Sequence, residues 1–195
     1  MISPGRPPVL VRTDAGFALS LTADERALLA AIPSRFAELL AQVGETGKVP
    51  RGLRRLFPAA YPTDEMAEAN YVSLVRADLV EHHRHALAVF SATASATHLA
   101  EDELEAWLAA LNDLRIFLGE SLGVTEEMVE PASDDPRYSE WLCYDYLTYL
   151  ESLVVDSLAE LLPPPAPTGN ATPDDPWGDP PGGLRWDGTP VPPDL

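Results

Sequence analysis

Between Leu104 and Leu122 the apolar residues Leu104, Trp107, Leu108, Leu111, Leu114, Leu118 and Leu122 return every three or four positions. That spacing gathers them on one stripe of an α-helix and on no single face of a strand. A stripe so continuous must be covered by other elements, so a chain that carries it folds as packed helices. Glu101-Asp102-Glu103 places negative charge at the positive end of this helix's dipole, and Gly123 supplies the left-handed residue that ends it.

Four other segments read the same way. Thr22-Ala23-Asp24-Glu25 fits a capping box, with Thr22 as N-cap and Glu25 three residues on. Leu28, Leu29, Ile32, Phe36, Leu39, Leu40 and Val43 then recur at helical spacing up to Gly44 and Gly47. Pro33 lies inside this run and lacks an N–H, which predicts a kink or break there. Pro50 opens a short helix through Leu53 and Leu56, stopped by Pro58 and Pro62. The longest helical pattern runs from Asp64 to about Phe90 and closes in the polar stretch from Ser91 to Thr97. Asp134-Asp135-Pro136 leads into a last helix, roughly Tyr138 to Leu162. Ahead of all these, Val9-Leu10-Val11 and Phe17-Ala18-Leu19 flank a Gly-containing interval and predict a small β-hairpin. A two-stranded hairpin is marginal alone and must lie on the helical body.

After Leu162 the character changes. Eleven of the chain's twenty prolines fall between Pro163 and Leu195, with almost no aliphatic residues. Such a stretch cannot bury enough apolar surface to offset its ordering entropy, so a disordered Pro-rich tail is expected. The expected organisation is therefore an N-terminal arm and hairpin over 1–21, a helical domain over 22–162 and a tail over 163–195. The fold class is all-α, a bundle of four to five main helices with a short N-terminal β-hairpin. Trp177 and Trp186 in the tail are either incidental aromatics or the anchors of a short docking motif.

The chain has 13 Lys and Arg against 31 Asp and Glu, a formal net charge of -18. Nucleic-acid affinity rests on cations that displace phosphate counterions, and a field this negative repels phosphates at long range. Arg51, Arg54 and Arg55 are the one local basic cluster. The expectation is no direct nucleic-acid binding. The single cysteine, Cys143, excludes an intrachain disulfide and a Cys-based zinc cluster. With no signal-peptide pattern and no apolar run near the ~20 residues that span a bilayer, the expected location is the cytoplasm, away from membranes.

Few polar residues sit where a helical core would be. By the helical angle of roughly 100° per residue, Arg115 falls about 40° from the centre of the Leu111 stripe, with Asn112 on the flank and Asp113 on the far side. A buried guanidinium needs a partner, so Arg115 is expected to meet Asp78 or Asp145 across a helix interface. Such a pair either fixes helix register or forms part of a ligand site. Tyr71, Val72, Val75, Leu79, Ala86, Val89 and Phe90 define the apolar face of the long helix, with Asp78 and His82 inside it. Glu81-His82-His83-Arg84-His85 is the motif closest to metal chemistry, since Asp78 with His82 and Glu81 with His85 are i,i+4 pairs. By the same angles His82 faces the core, His83 flanks it and His85 turns away, so the imidazoles diverge. Asp78, His82 and His85 are weak metal candidates beside the plainer reading of a polar surface with one core histidine, and no cofactor is expected.

Cys143 shares a stripe with Tyr146, Leu150, Val154 and Leu161, where a thiol behaves as a small hydrophobe with a raised pKa. Trp141, Tyr144 and Val155 give the last helix a second apolar side, the mark of a central helix or of one covered by a partner, with homodimerisation the simplest case. No P-loop, GxGxxG, GxSxG or HExxH pattern occurs.

Three segments in order carry a family resemblance: Arg54-Arg55-Leu56-Phe57-Pro58-Ala59-Ala60-Tyr61; Trp107 with Leu111-Asn112-Asp113-Leu114-Arg115-Ile116-Phe117-Leu118-Gly119; and Tyr144-Asp145-Tyr146-Leu147-Thr148-Tyr149-Leu150. They resemble an actinobacterial family of domains of unknown function, encoded next to the ClpS adaptor and including AosR-like oxidative-stress transcriptional regulators. The likeness covers Val9 to Leu162. It implies a non-enzymatic regulatory or adaptor protein that works through protein contacts, with a sigma factor or other transcription protein as partner. It carries over no catalytic residues. Arg54, Arg55, Asn112, Asp113, Arg115 and Asp145 match the family's polar positions. A redox switch between two cysteines of one chain cannot operate here. The interaction candidates are Trp141, Tyr144, Arg54, Arg55, Trp177 and Trp186. The rival readings are a helical metal-binding protein or enzyme using Asp78, His82 and His85, and a homo-oligomeric structural protein using Trp141 and Tyr144.

Overall fold

A computed structural model describes residues 8–163, and the chain divides into a body, Met1–Leu161, and a second unit, Leu162–Leu195. The expected tail, with Trp177 and Trp186, lies outside the described residues. The body is mostly helical with a small antiparallel sheet, in the order β1 (Leu10–Thr13), β2 (Gly16–Leu19), α1 (Ala23–Ala31), α2 (Pro33–Thr46), a 3₁₀ turn (Arg51–Leu53), α3 (Glu65–Thr93), β3 (His98–Leu99), α4 (Glu101–Leu122) and α5 (Tyr138–Ala159).

Local chemistry explains the boundaries. At Thr22 the capping box is complete: its hydroxyl accepts from Glu25 N–H at 3.3 Å, and Glu25 Oε2 accepts from Thr22 N–H at 2.7 Å. Pro33 does break the run. It stands at the first position of α2, after Ile32, which keeps helical angles and turns α1 into α2 without a loop. Asp64 caps α3 by accepting from the N–H groups of Met66 and Ala67. Ala100 has no oxygen to cap α4, but its own N–H donates to Glu103 Oε2 at 2.8 Å. Gly47 and Gly123, both left-handed, end α2 and α4.

The expected hairpin forms, with Leu10 opposite Leu19 and Thr13 opposite Gly16, and a third strand joins it: Phe17 pairs with Leu99 and Ala18 with His98. Gly16 has a φ of +116°, and a β-carbon there would run into the carbonyl oxygen of Leu99. Only glycine fits that crossing. Phe17, Leu19 and Leu99 carry the sheet's apolar face into the core.

α4 is the central element, packed against α3 and α5 and touching α2, the 3₁₀ turn and β2. Trp107, fully buried, lies on Phe90 with ring centroids 4.7 Å apart, and its indole N–H donates to Thr93 Oγ1 at 2.7 Å. Thr93 in turn donates to the Val89 carbonyl at 2.7 Å, so the indole's polar edge is satisfied inside the core. Arg26 reaches across to the carbonyls of Ala94 and Ala96 and ties α1 to the turn before β3.

Candidate functional site

The first half of α3 is the least covered part of the body. Met66 and Leu74 are each 77% exposed, Tyr61 49% and Tyr71 somewhat less. The band is held in shape: Tyr61 and Tyr71 meet edge to face at 6.2 Å between centroids, and Glu68 Oε2 accepts from Tyr61 N–H at 2.8 Å. Tyr71 also borders a small crevice, which Val72, Val75, Arg76 and Leu79 line with Phe57 and Pro58. The Arg76 guanidinium lies 5.5 Å from the centre of the Phe57 ring, a cation–π contact.

Farther along α3 the histidines fall one position from where helical angles put them. His83 is the buried one, 8% exposed, while His82, His85 and Asp78 face outward. Nδ1 of His83 approaches Asp113 Oδ2 at 2.6 Å, and Asp113, expected on the far side of α4, is only 4% exposed. The buried face of α3 runs through Val80, His83, Ala86, Leu87 and Phe90, and Phe57 packs on the His83 ring, so the core side of the helix passes through His83 and not His82. Among the described residues no group of three or more His, Cys, Asp or Glu is placed to hold a metal ion, so Asp78, His82 and His85 do not form a centre.

Arg115 does have a carboxylate partner, but it is neither Asp78 nor Asp145. Its Nε lies 2.8 Å from Glu151 Oε2, an ion-pair contact across α4 and α5 whose alignment falls short of a hydrogen bond. Asp78 and Asp145 are exposed. Burial pushes the Glu151 carboxyl up, and the Arg115 charge only partly offsets it. Arg55 pairs with Glu120 at 2.9 Å, and Arg54 stays exposed. Trp141 and Tyr144 are both half-buried: Trp141 stacks on Tyr138 at 6.3 Å, and Tyr144 lies against Gly119. Leu142 and Val155 are the more open apolar residues of α5.

Cys143 belongs to a larger feature. A cleft of about 620 Å³ opens between α2, the 3₁₀ turn, the end of α4 and the start of α5. Ile32, Leu39, Pro50, Phe117 and Leu118 give it apolar walls, and Arg35, Arg51, Glu120, Ser121, Glu140 and Cys143 bring polar groups. Gly52 lets the 3₁₀ turn lie close on Phe117, since a β-carbon there would sit 3.2 Å from the ring. Burial raises the Cys143 thiol above its usual pKa, and the neighbouring Glu140 charge raises it further. No sequence signal pointed to this cleft, because its walls come from four separated segments.

No helix among the described residues is long and apolar enough to cross a membrane. No curated protein and no solved structure matches the chain. Residues 6–158 match a family model, which spans the hairpin and all five helices except the last residue of α5. The chain therefore belongs to the DUF2017 family, a domain of unknown function.

Proposed function

We propose that this protein is a non-enzymatic regulator or adaptor that acts by docking another polypeptide on the first half of α3. The observation that supports this reading is the band of Tyr61, Met66, Tyr71 and Leu74. Two of its residues give more than three quarters of their surface to water on a helix whose opposite side is already packed. Large apolar side chains left open along one helical segment are a mark of interaction surfaces, and Tyr and Met are among the residues enriched there. The net charge of -18 favours a polypeptide over a nucleic acid as the partner. The family likeness adds the class of partner: a sigma factor or another protein of the transcription machinery, in a response to oxidative stress. The resemblance to proteins encoded beside ClpS belongs to the same reading.

The test is direct binding between the purified protein and purified sigma factors from the same cell, with the double variant Met66→Ser/Leu74→Ser as comparison. Both positions are open to water, so the variant should fold, which circular dichroism checks. A sigma factor that binds wild type and is weakened at least tenfold by the double change supports the proposal. No binding, or equal binding to both forms, defeats it.

A further inference from the structure

We propose that the cleft between α2, the 3₁₀ turn, α4 and α5 is a binding site for a small amphipathic carboxylate, an apolar chain ending in one acid group. Its volume of about 620 Å³ lies within the range that holds a single small molecule. The apolar chain would rest on Phe117, Leu118, Ile32 and Leu39. The acid group would meet Arg35 and Arg51, which come from α2 and the 3₁₀ turn.

The two arginines carry the argument. Carboxylates outnumber cations by more than two to one in this chain, and Arg55, Arg115 and Arg137 have each found one. Arg35 and Arg51 have not: neither side chain makes a hydrogen bond or ion pair among the described residues. Glu120, on the same cleft, is held instead by Arg55 from the rim. Two arginines lining one cleft beside apolar walls offer a carboxylate complementary charge.

The rest of the site limits the ligand's charge. Glu140 lines the cleft from α5 and lies close enough to Cys143 to raise the thiol's pKa. A nucleotide or other polyanion would meet that carboxylate and the negative field of the whole chain. One negative charge on an apolar body meets the arginines with a smaller penalty, because the repulsion scales with the ligand's charge. This site is separate from the docking band on α3, so the two readings can fail independently.

Calorimetric titration of the full-length protein with dodecanoate, kept below its micelle concentration, tests the proposal. Arg35→Gln/Arg51→Gln is the key variant; both side chains are exposed and unpaired among the described residues, so its fold should be unchanged by melting and circular dichroism. Saturable binding at one site, weakened at least tenfold in the double variant and by added salt, is the expected result. Dodecyltrimethylammonium should bind far more weakly, and acetate not measurably. No dodecanoate binding overturns the proposal. So does equal binding to wild type and the double variant, or equal binding of the cationic detergent. Gly52→Ala gives an independent check: a methyl group pressed against Phe117 should change dodecanoate affinity while leaving the arginines in place.

Discussion

His83 Nδ1 and Asp113 Oδ2 stand 2.6 Å apart between α3 and α4, with both side chains almost wholly enclosed. Nε2, on the other side of the ring, is buried with no hydrogen-bond partner among the described residues. The ring also meets Phe57 edge on, with centroids 5.4 Å apart, so the pair links the α3–α4 interface to the segment that follows the 3₁₀ turn.

Removing one member should therefore cost much more than replacing both. Asp113→Ala strands a buried imidazole and should lower stability by about 2–4 kcal/mol, whereas His83→Leu/Asp113→Leu should recover most of that loss. Urea unfolding of the two variants against wild type measures the difference. Equal losses in both would show that the pair contributes shape and not charge complementarity.

Glu151 gives a pH signature. Its carboxyl is raised in the folded protein, so the folded chain holds this proton more tightly than the unfolded chain. The Glu151 contribution to stability is fully present below the ordinary glutamate pKa and declines as pH rises through the raised value. Glu151→Gln should remove that decline. The difference in unfolding free energy, wild type minus variant, should fall as pH increases above about 4.5, the ordinary glutamate pKa. Asp135 acts in the opposite sense. Arg137 holds its carboxyl down at about 2, so its contribution is present at neutral pH and is lost only as pH falls toward that value. The two windows do not coincide, and a difference that grows with pH would contradict the Glu151 assignment.

Cys143 should be a slow nucleophile at neutral pH. Its thiol is raised first by burial and then by Glu140. The rate of alkylation by iodoacetamide should keep rising at pH values where a free cysteine has levelled off. Glu140→Gln removes the smaller cause and should move the midpoint down only in part. Fast reaction of the wild-type thiol at pH 7 would contradict the geometry.

How much of this could be read without coordinates depended on the range of the interaction. Thr22 with Glu25, Pro33, Asp64 and Gly123 act within a turn of themselves, and the boundaries they imply are where the helices begin and end. β3 was not legible because it is two residues long and is a strand only through Phe17 and Ala18. His83 in place of His82 is a matter of one residue on α3, where the apolar spacing around the histidines is too sparse to fix the centre of the buried face. A shift of one residue turns a helical side chain by about 100°, enough to exchange core for solvent. Asp113 was misplaced because α4, enclosed by α3 on one side and α5 on another, has no true far side. Arg115 was recognised as needing a carboxylate, but the choice of Glu151 depends on how α4 and α5 slide past each other, which neither helix encodes alone.

The sheet also imposes an order of events on synthesis. Its hairpin leaves the ribosome first, yet the strand it pairs with follows α1, α2 and α3, and Arg12 finds the Glu160 carbonyl only at the end of α5. Until β3 arrives Phe17 and Leu19 lack their full cover, so a segment translated ahead of its partners settles after them, and a nascent chain halted within α3 would carry a greasy, unfinished edge for chaperones to guard.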